Sequence, residues 1–141
     1  YGTNFGKLNA GLPTDRLVVE WWVRGDRVLQ GARVNWTEAA PVFEVSGFGY
    51  ERRILGINYD LVSDVLLLES VSDIQGLKAA NMDLASAWRL KIRSAFENYF
   101  EKGYIASDFQ ADVDPASGHR QNRSVLQKLT STLRNHIGIW P

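Results

Sequence analysis

The first residues that could bind a ligand or take part in a reaction stand at the start of a predicted strand near the beginning of the chain. Asp15 and Arg16 stand immediately before an apolar run. The planar guanidinium of an Arg matches a carboxylate or a phosphate, so Arg16 is a candidate to grip an anionic ligand, with Asp15 beside it. The alternative is a local Asp–Arg pair that only fixes the turn into the strand.

Three side chains within this strand are candidates to form a pocket. Glu20 is flanked by apolar residues. A half-buried carboxylate has a raised pKa, which suits it to act as a general base. Trp21 and Trp22 could line a pocket for an acyl or aromatic group. The alternatives are a Glu20 that pairs with an Arg or points outward, and tryptophans that pack in a core or interface.

A second strand ends in two carboxylates, Glu69 and Asp73. Ligands of α/β sheets gather at strand ends, so either residue could orient a substrate amine; the alternative is stabilisation of the loop that follows. Arg89 and Arg93 could receive an anion or the carboxylates of a partner, although a solvated helix face is the more common arrangement. His119 and His136 have no second ligand at metal spacing, so no metal site is predicted.

The composition restricts the class of protein. The chain has 141 residues, enough for one domain, with 16 basic and 16 acidic residues and no cysteine. A zero net charge argues against nucleic acid and anionic membrane as partners, and no apolar run approaches the length of a membrane helix. The absence of cysteine excludes disulfides and a Cys nucleophile and fits a cytoplasmic protein. The start at Tyr1 suggests a processed or excised chain.

These candidates need a sheet and a helix to position them. Residues 1–15 are predicted to be a loop or extended segment, residues 111–123 a loop, and residues 130–141 an uncertain tail. A return strand is expected over 124–129. β-branched and aromatic residues predict five strands, mainly antiparallel because short connections join them: Arg16–Val23, Pro41–Val45, Arg52–Leu61, Val65–Val71 and Tyr104–Gln110.

A long amphipathic helix gives the strongest pattern. From Asn81 to Lys102, apolar residues recur at the spacing of one helix face. Asn81 or Asp83 is expected to cap its start, and Gly103 to end it in a left-handed conformation. The predicted fold is therefore α+β, with a mostly antiparallel sheet packed against one long helix.

Two segments carry a resemblance to a known superfamily. Asn9–Trp22 reads NAGLPTDRLVVEWW, and Leu68–Phe109 combines LES-x-x-DIQGLK, a helix with AWRLKIRSAFENYFEKGY, and a strand ending in SDF. Both segments are similar to bacterial proteins identified as predicted GNAT acyl-CoA acyltransferases. The order of strands and helix also resembles half of a GNAT fold, so this chain could be a second, degenerate copy of that fold.

The resemblance implies a cytoplasmic N-acyltransferase that moves an acyl group from acetyl-CoA or another acyl-CoA to a small-molecule amine. It places the acyl-CoA motif upstream, so this chain would be a C-terminal part beside an N-terminal GNAT half. The chain would complete the acceptor pocket or form a homodimer surface. The residues expected to touch ligand or the catalytic half are Asp15, Arg16, Glu20, Trp21 and Trp22, with Glu69 on the acceptor side and Glu20 as the base.

The expected pyrophosphate loop has only one weak match, Arg53–Asn58, in which Asn58 stands where the pattern has Gly or Ala. No helix is predicted after it, and Asp60 and Asp64 are poor neighbours for pyrophosphate. A strand with one glycine is the favoured interpretation, so the chain alone is expected to lack the cofactor site. The alternative function is a non-catalytic interaction or oligomerisation module.

Overall fold

The computed structural model describes residues 10–12 and 37–129. Of the six residues expected to touch ligand or the catalytic half, only Glu69 falls in these ranges; the further candidates Asp73, Arg89 and Arg93 also lie within them. The predicted strand Arg16–Val23 and the tail from residue 130 also lie outside them. The predicted site residues outside the described ranges are Asp15, Arg16, Glu20, Trp21 and Trp22.

Six strands and two helices make up the described part of the chain, with a single 3-10 turn at Gly49–Glu51. In chain order they are β1 (Ala40–Pro41), β2 (Phe43–Ser46), β3 (Arg53–Ile57), β4 (Val65–Ser70), α1 (Ile74–Ala80), α2 (Met82–Glu101), β5 (Tyr104–Val113) and β6 (Arg120–Lys128).

The larger sheet has the strand order β1-β4-β6-β5. β1 pairs with β4 in parallel, and the β4–β6 and β5–β6 pairs are antiparallel. Leu66, Leu68 and Leu126 of this sheet pack with Trp88 and Tyr99 of α2 in one core. The predicted α+β class is therefore confirmed, with a mixed sheet against the long helix.

The sheet differs from the prediction in that it is divided. β2 and β3 form a separate antiparallel sheet of two strands, so the predicted strand Pro41–Val45 is split between two sheets. Val42 is the reason: its N–H donates to the Leu67 carbonyl in β4, and its carbonyl accepts from Asn58 N–H just after β3, both at 2.9 Å. Val42 is 1% exposed, so the chain changes sheet inside the core.

The predicted loop over residues 111–123 is also wrong at both ends. β5 continues to Val113 and β6 begins at Arg120, leaving a connection of residues 114–119. The polar residues at the two ends of this segment belong to the paired strands β5 and β6, so their polarity does not mark a loop. β6 lies between β4 and β5 and is central to the sheet.

The capping residues of α2 act as predicted. The side chain of Asn81 accepts from Leu84 N–H at 3.0 Å, and Gly103 has a φ of 87° after the last turn. The short helix α1 has no apolar periodicity long enough to predict it. It begins because the Asp73 side chain accepts from Gly76 N–H at 2.9 Å, and Leu77 buries its inner face.

Two tyrosines hold the irregular segment between β3 and β4. The Tyr99 hydroxyl donates to the Asn58 carbonyl and accepts from Leu61 N–H, and the Tyr104 hydroxyl donates to the Ser63 carbonyl at 2.7 Å. The two rings meet edge to face at 5.3 Å. Side chains, these two tyrosines among them, therefore supply hydrogen bonds that a ladder would otherwise provide to this segment.

We expect Tyr99→Phe to lower the free energy of unfolding by about 1–3 kcal/mol, because a carbonyl and an amide lose their partner at a part-buried position. Tyr59→Phe is the control. Its hydroxyl contacts Ser94 at 2.8 Å, but Tyr59 is 37% exposed, so a change of at most about 0.5 kcal/mol is expected. Urea unfolding of both variants measures the difference, and equal effects would contradict the role given to Tyr99.

Candidate functional site

A small cavity lies between the end of β4 and the start of β6, and the 3-10 turn passes over it. Its volume is about 70 Å³. Pockets that enclose a whole drug-sized ligand measure about 300–1,000 Å³, so this one suits a terminal group. Its lining comprises Phe48, Gly49, Tyr50, Arg52, Glu69, Ser70, Val71, Ser72, Asp73, Leu77, Trp88, Ser117, His119, Arg120 and Gln121.

One wall is an ion pair between Arg52 and Glu69. The Arg52 Nε donates to Glu69 Oε1 and its Nη2 to Oε2, the latter at 2.9 Å, while Nη1 donates to the Gly47 carbonyl at 2.9 Å. The hydrogen bonds that Arg52 donates to Glu69 raise the pKa of Arg52 against the opposing effect of burial. With side chains only 20% and 15% exposed, the two residues form a fixed, neutral wall.

A second pair, Tyr50 and Asp73, lies at the mouth of the cavity. The Tyr50 hydroxyl donates to Asp73 Oδ2 at 2.6 Å, while Asp73 Oδ1 accepts from Gly76 N–H. These bonds lower the pKa of Asp73, and the bond to the carboxylate raises the pKa of Tyr50. A Cβ at position 76 would overlap both the Tyr50 hydroxyl and the Asp73 carboxylate, so a glycine permits this approach.

The rim is aromatic. The rings of Phe48 and His119 stack with centroids 5.9 Å apart and an interplanar angle of 13°. His119 follows a turn in which Ser117 Oγ donates to Asp114 Oδ2 at 2.6 Å, a bond that contributes most to the lowered pKa of Asp114. Phe48 is 55% and Tyr50 48% exposed, so part of each ring is accessible to a ligand, although one face of Phe48 is covered by His119.

Two core residues from the helices form the floor. Trp88 of α2 donates its indole N–H to the Arg52 carbonyl at 2.8 Å and packs edge to face on Phe43 with centroids 6.3 Å apart. Leu77 of α1 is 2% exposed. The floor is therefore rigid, and the polar groups stand around an apolar base.

The arrangement has a defined charge pattern. The Glu69 charge is matched by Arg52, whereas the neighbours of the Asp73 carboxylate are a hydroxyl and an amide. Arg120 is the other basic residue in the lining. An unneutralised carboxylate beside open aromatic faces is chemistry that attracts an ammonium group.

Of the residues predicted from sequence, the structure brings Glu69 and Asp73 to the same cavity, as their place at a strand end suggested. Arg89 and Arg93 lie on α2 and do not line it. Sequence reasoning missed the wall and rim residues Phe48, Tyr50, Arg52 and His119. The run SGFGYER was a usable indication, because two aromatics in a glycine-bounded turn are placed at the surface.

The segment proposed as the closest match to a pyrophosphate loop is a strand. Arg53–Ile57 is β3, and Gly56 lies opposite Glu44 in its ladder with β2. Amides held in a ladder do not converge on a phosphate, so this segment does not fit a CoA pyrophosphate. Within residues 10–12 and 37–129, no cluster of three His, Asp or Glu side chains could hold a metal ion, and no helix is long and apolar enough to cross a membrane.

Comparison of the chain with known protein families, with curated proteins and with solved structures gives no match.

Glu69→Gln tests the fixed wall. The change keeps the shape but leaves the Arg52 guanidinium half-buried without its charge partner, so we expect a loss of about 1–3 kcal/mol in unfolding free energy. Asp60→Asn is the matched control, because the Lys102–Asp60 pair has an Asp side chain 93% exposed and should contribute at most about 0.5 kcal/mol. Denaturant unfolding compares them, and a Glu69→Gln variant as stable as the control would contradict a structural ion pair.

The hydrogen bond between Tyr50 and Asp73 predicts how the stability of the protein depends on pH. Because the folded-state pKa of Tyr50 is raised, the stability from this bond is present below pH 10.0 and is lost as the pH rises through the folded-state pKa. For Asp73, whose pKa is lowered, the stability is present above its ordinary value and is lost as the pH falls through the folded-state pKa.

We expect Asp73→Asn to return the Tyr50 pKa toward its ordinary value. Tyrosinate absorbance measures this, with the Tyr50→Phe titration subtracted to isolate one ring. Tyr104 serves as an internal control, since burial contributes most to its raised pKa and the substitution should not move it. A Tyr50 titration unchanged in Asp73→Asn would show that the two side chains are apart in solution.

Proposed function

We propose that this chain is the acceptor-binding part of an acyl-CoA-dependent N-acyltransferase, and that the cavity at the end of β4 receives a primary ammonium group. The resemblance of Asn9–Trp22 and Leu68–Phe109 to GNAT acyltransferases supports the class of reaction. The observation that carries the acceptor assignment is the exposed carboxylate of Asp73, set beside open aromatic rings at the mouth of a small cavity.

The size and the lining agree with an amine. About 70 Å³ admits the end of a chain and excludes a nucleotide. Asp73 supplies the negative charge, and the faces of Tyr50 and Phe48 offer a cation a second favourable contact. The apolar floor of Leu77 and Trp88 suits the methylene next to the ammonium.

Glu69 has a positioning role in this proposal. Both of its oxygens accept from Arg52, so it fixes the wall while Asp73 makes the contact with the ammonium. An ammonium must lose a proton before its nitrogen can attack a thioester. Glu20 remains the base proposed from sequence, and Asp15, Arg16, Trp21 and Trp22 remain the residues proposed to meet the ligand or the catalytic half.

The acyl-CoA site is proposed to be formed by other residues. β3 does not fit the pyrophosphate, so no step of the reaction is assigned to the described residues beyond holding the acceptor. In this proposal the N-terminal half holds the cofactor, and the reaction joins the acceptor nitrogen to the acyl carbon as CoA leaves with a proton.

The first test is a titration of the chain with n-butylamine, followed by amide chemical shifts in NMR spectra. n-Butanol is the neutral control of equal length. We expect the amine to shift the amides of Tyr50, Asp73 and Gly76 with a Kd near 1 mM, about 4 kcal/mol of binding, and the alcohol to leave them in place. Asp73→Asn should weaken amine binding at least tenfold, and Asp60→Asn should not change it.

The second test measures amine-dependent release of CoA from acetyl-CoA by the full-length protein. The proposal is supported if the protein releases CoA in the presence of the amine and if Asp73→Asn slows that release mainly by raising the KM for the amine. Amine binding without turnover would contradict the acyltransferase assignment and leave an amine-binding module. The absence of both would favour the non-catalytic interaction module, whose exposed Phe48 and Tyr50 would then meet a protein partner.

A further inference from the structure

The outer edge of β5 carries features that neither the fold nor the cavity explains. β5 is the last strand in the order β1-β4-β6-β5, and no other described strand pairs with its outer side. It spans ten residues, and Phe109 and Val113 on it are each 54% exposed. A long edge strand with exposed apolar side chains is a ready template for pairing with another chain.

The direction of the edge amides follows from one hydrogen bond. Asp114 N–H donates to the His119 carbonyl at 2.9 Å, which continues the β5–β6 ladder into its turn. In an antiparallel ladder the amides of alternate residues point to the partner strand. The amides of Asp112 and Gln110 therefore face β6, and those of Phe109, Ala111 and Val113 face outward.

Two of these three outward amides, those of Phe109 and Val113, already have acceptors within the strand. Phe109 N–H donates to the Asp108 carboxylate and Val113 N–H to the Asp112 carboxylate, each at 2.8 Å. The two contacts are identical in form and stand four residues apart on the same edge. Each bond satisfies, from within the strand, a donor that a neighbouring strand would otherwise use.

Without these bonds, the edge would be complementary to itself. In an antiparallel pair centred on Ala111, outward residues stand opposite outward residues, and Phe109 of one copy meets Val113 of the other. The same register sets Asp112 against Gln110, which avoids opposing like charges. An aromatic residue opposite a β-branched one is a favourable cross-strand pair.

We propose that Asp108 and Asp112 guard the edge of β5 against pairing with a second copy of this chain. A dimer in this register would have to break four aspartate–amide bonds. In return it would gain the hydrogen bonds and side-chain contacts of about five residues on each copy, a contact small enough for the loss of these four bonds to decide against pairing. The guarded edge therefore keeps the exposed Phe109 and Val113 from acting as a pairing site.

Asp112 is the residue to test, because it is exposed and its replacement removes little packing. Asp112→Ala removes the acceptor, whereas Asp112→Asn removes the charge and keeps an oxygen that can accept the Val113 amide. We expect the Val113 amide to exchange with solvent at least tenfold faster in Asp112→Ala than in the wild type. In Asp112→Asn it should exchange close to the wild-type rate.

Self-association is then measured by sedimentation equilibrium over a range of chain concentrations. We expect the dimer Kd to fall at least tenfold in Asp112→Ala and to stay near the wild-type value in Asp112→Asn. The double variant Asp112→Ala/Val113→Lys should restore the wild-type behaviour, since a lysine on the edge disfavours pairing.

Three outcomes would overturn the proposal. Unchanged association in Asp112→Ala would show that the aspartate does not guard the edge. If Asp112→Asn associated as strongly as Asp112→Ala, the effect would come from the lost charge and not from the lost bond to the amide. Association that survives Val113→Lys would place the contact away from β5.

Discussion

Arg52 holds together the three parts of the structure that meet at the cavity. Its guanidinium donates to Glu69 at the end of β4 and to the Gly47 carbonyl in the turn after β2, and its own carbonyl accepts the indole N–H of Trp88 in α2. A charged group with side-chain exposure of only 20% needs such partners, because desolvation without them is costly. The small sheet, the large sheet and the long helix are therefore joined through one residue that also forms a wall of the site.

The turn around Arg52 has its own local requirement. Gly47 has a φ of 82°, and a Cβ there would lie 2.7 Å from the Glu51 carbonyl oxygen. Only a glycine places the chain so that the Gly47 carbonyl reaches the guanidinium while Phe48 and Tyr50 are carried outward. The same turn thus explains both the fixed wall and the exposed aromatic rim, so a backbone constraint and the proposed ligand contacts have one origin.

Sequence patterns predicted those elements whose stability is local. The helix over 82–101, its Asn81 cap and the left-handed Gly103 follow from periodicity and capping, and they are confirmed. The division into two sheets was not predictable, because it depends on Val42 bonding forward to Leu67 and to Asn58. The cavity was predicted in part. Glu69 and Asp73 share a strand end, but Arg52 reaches Glu69 only through folding, and sequence separation conceals that pairing.

The same limit explains why acidic residues in this chain are poor guides to chemistry when read from sequence alone. Asp108, Asp112 and Asp114 each accept a backbone amide, and their positions follow from local backbone geometry. Asp73 also accepts an amide, but it differs because a tyrosine hydroxyl from another element approaches it at the mouth of a cavity. A carboxylate that only caps the backbone needs no such neighbour. Convergence of groups from distant parts of the chain is therefore what distinguishes Asp73 as a candidate site residue, and Glu69 is a candidate because it fixes the wall beside it.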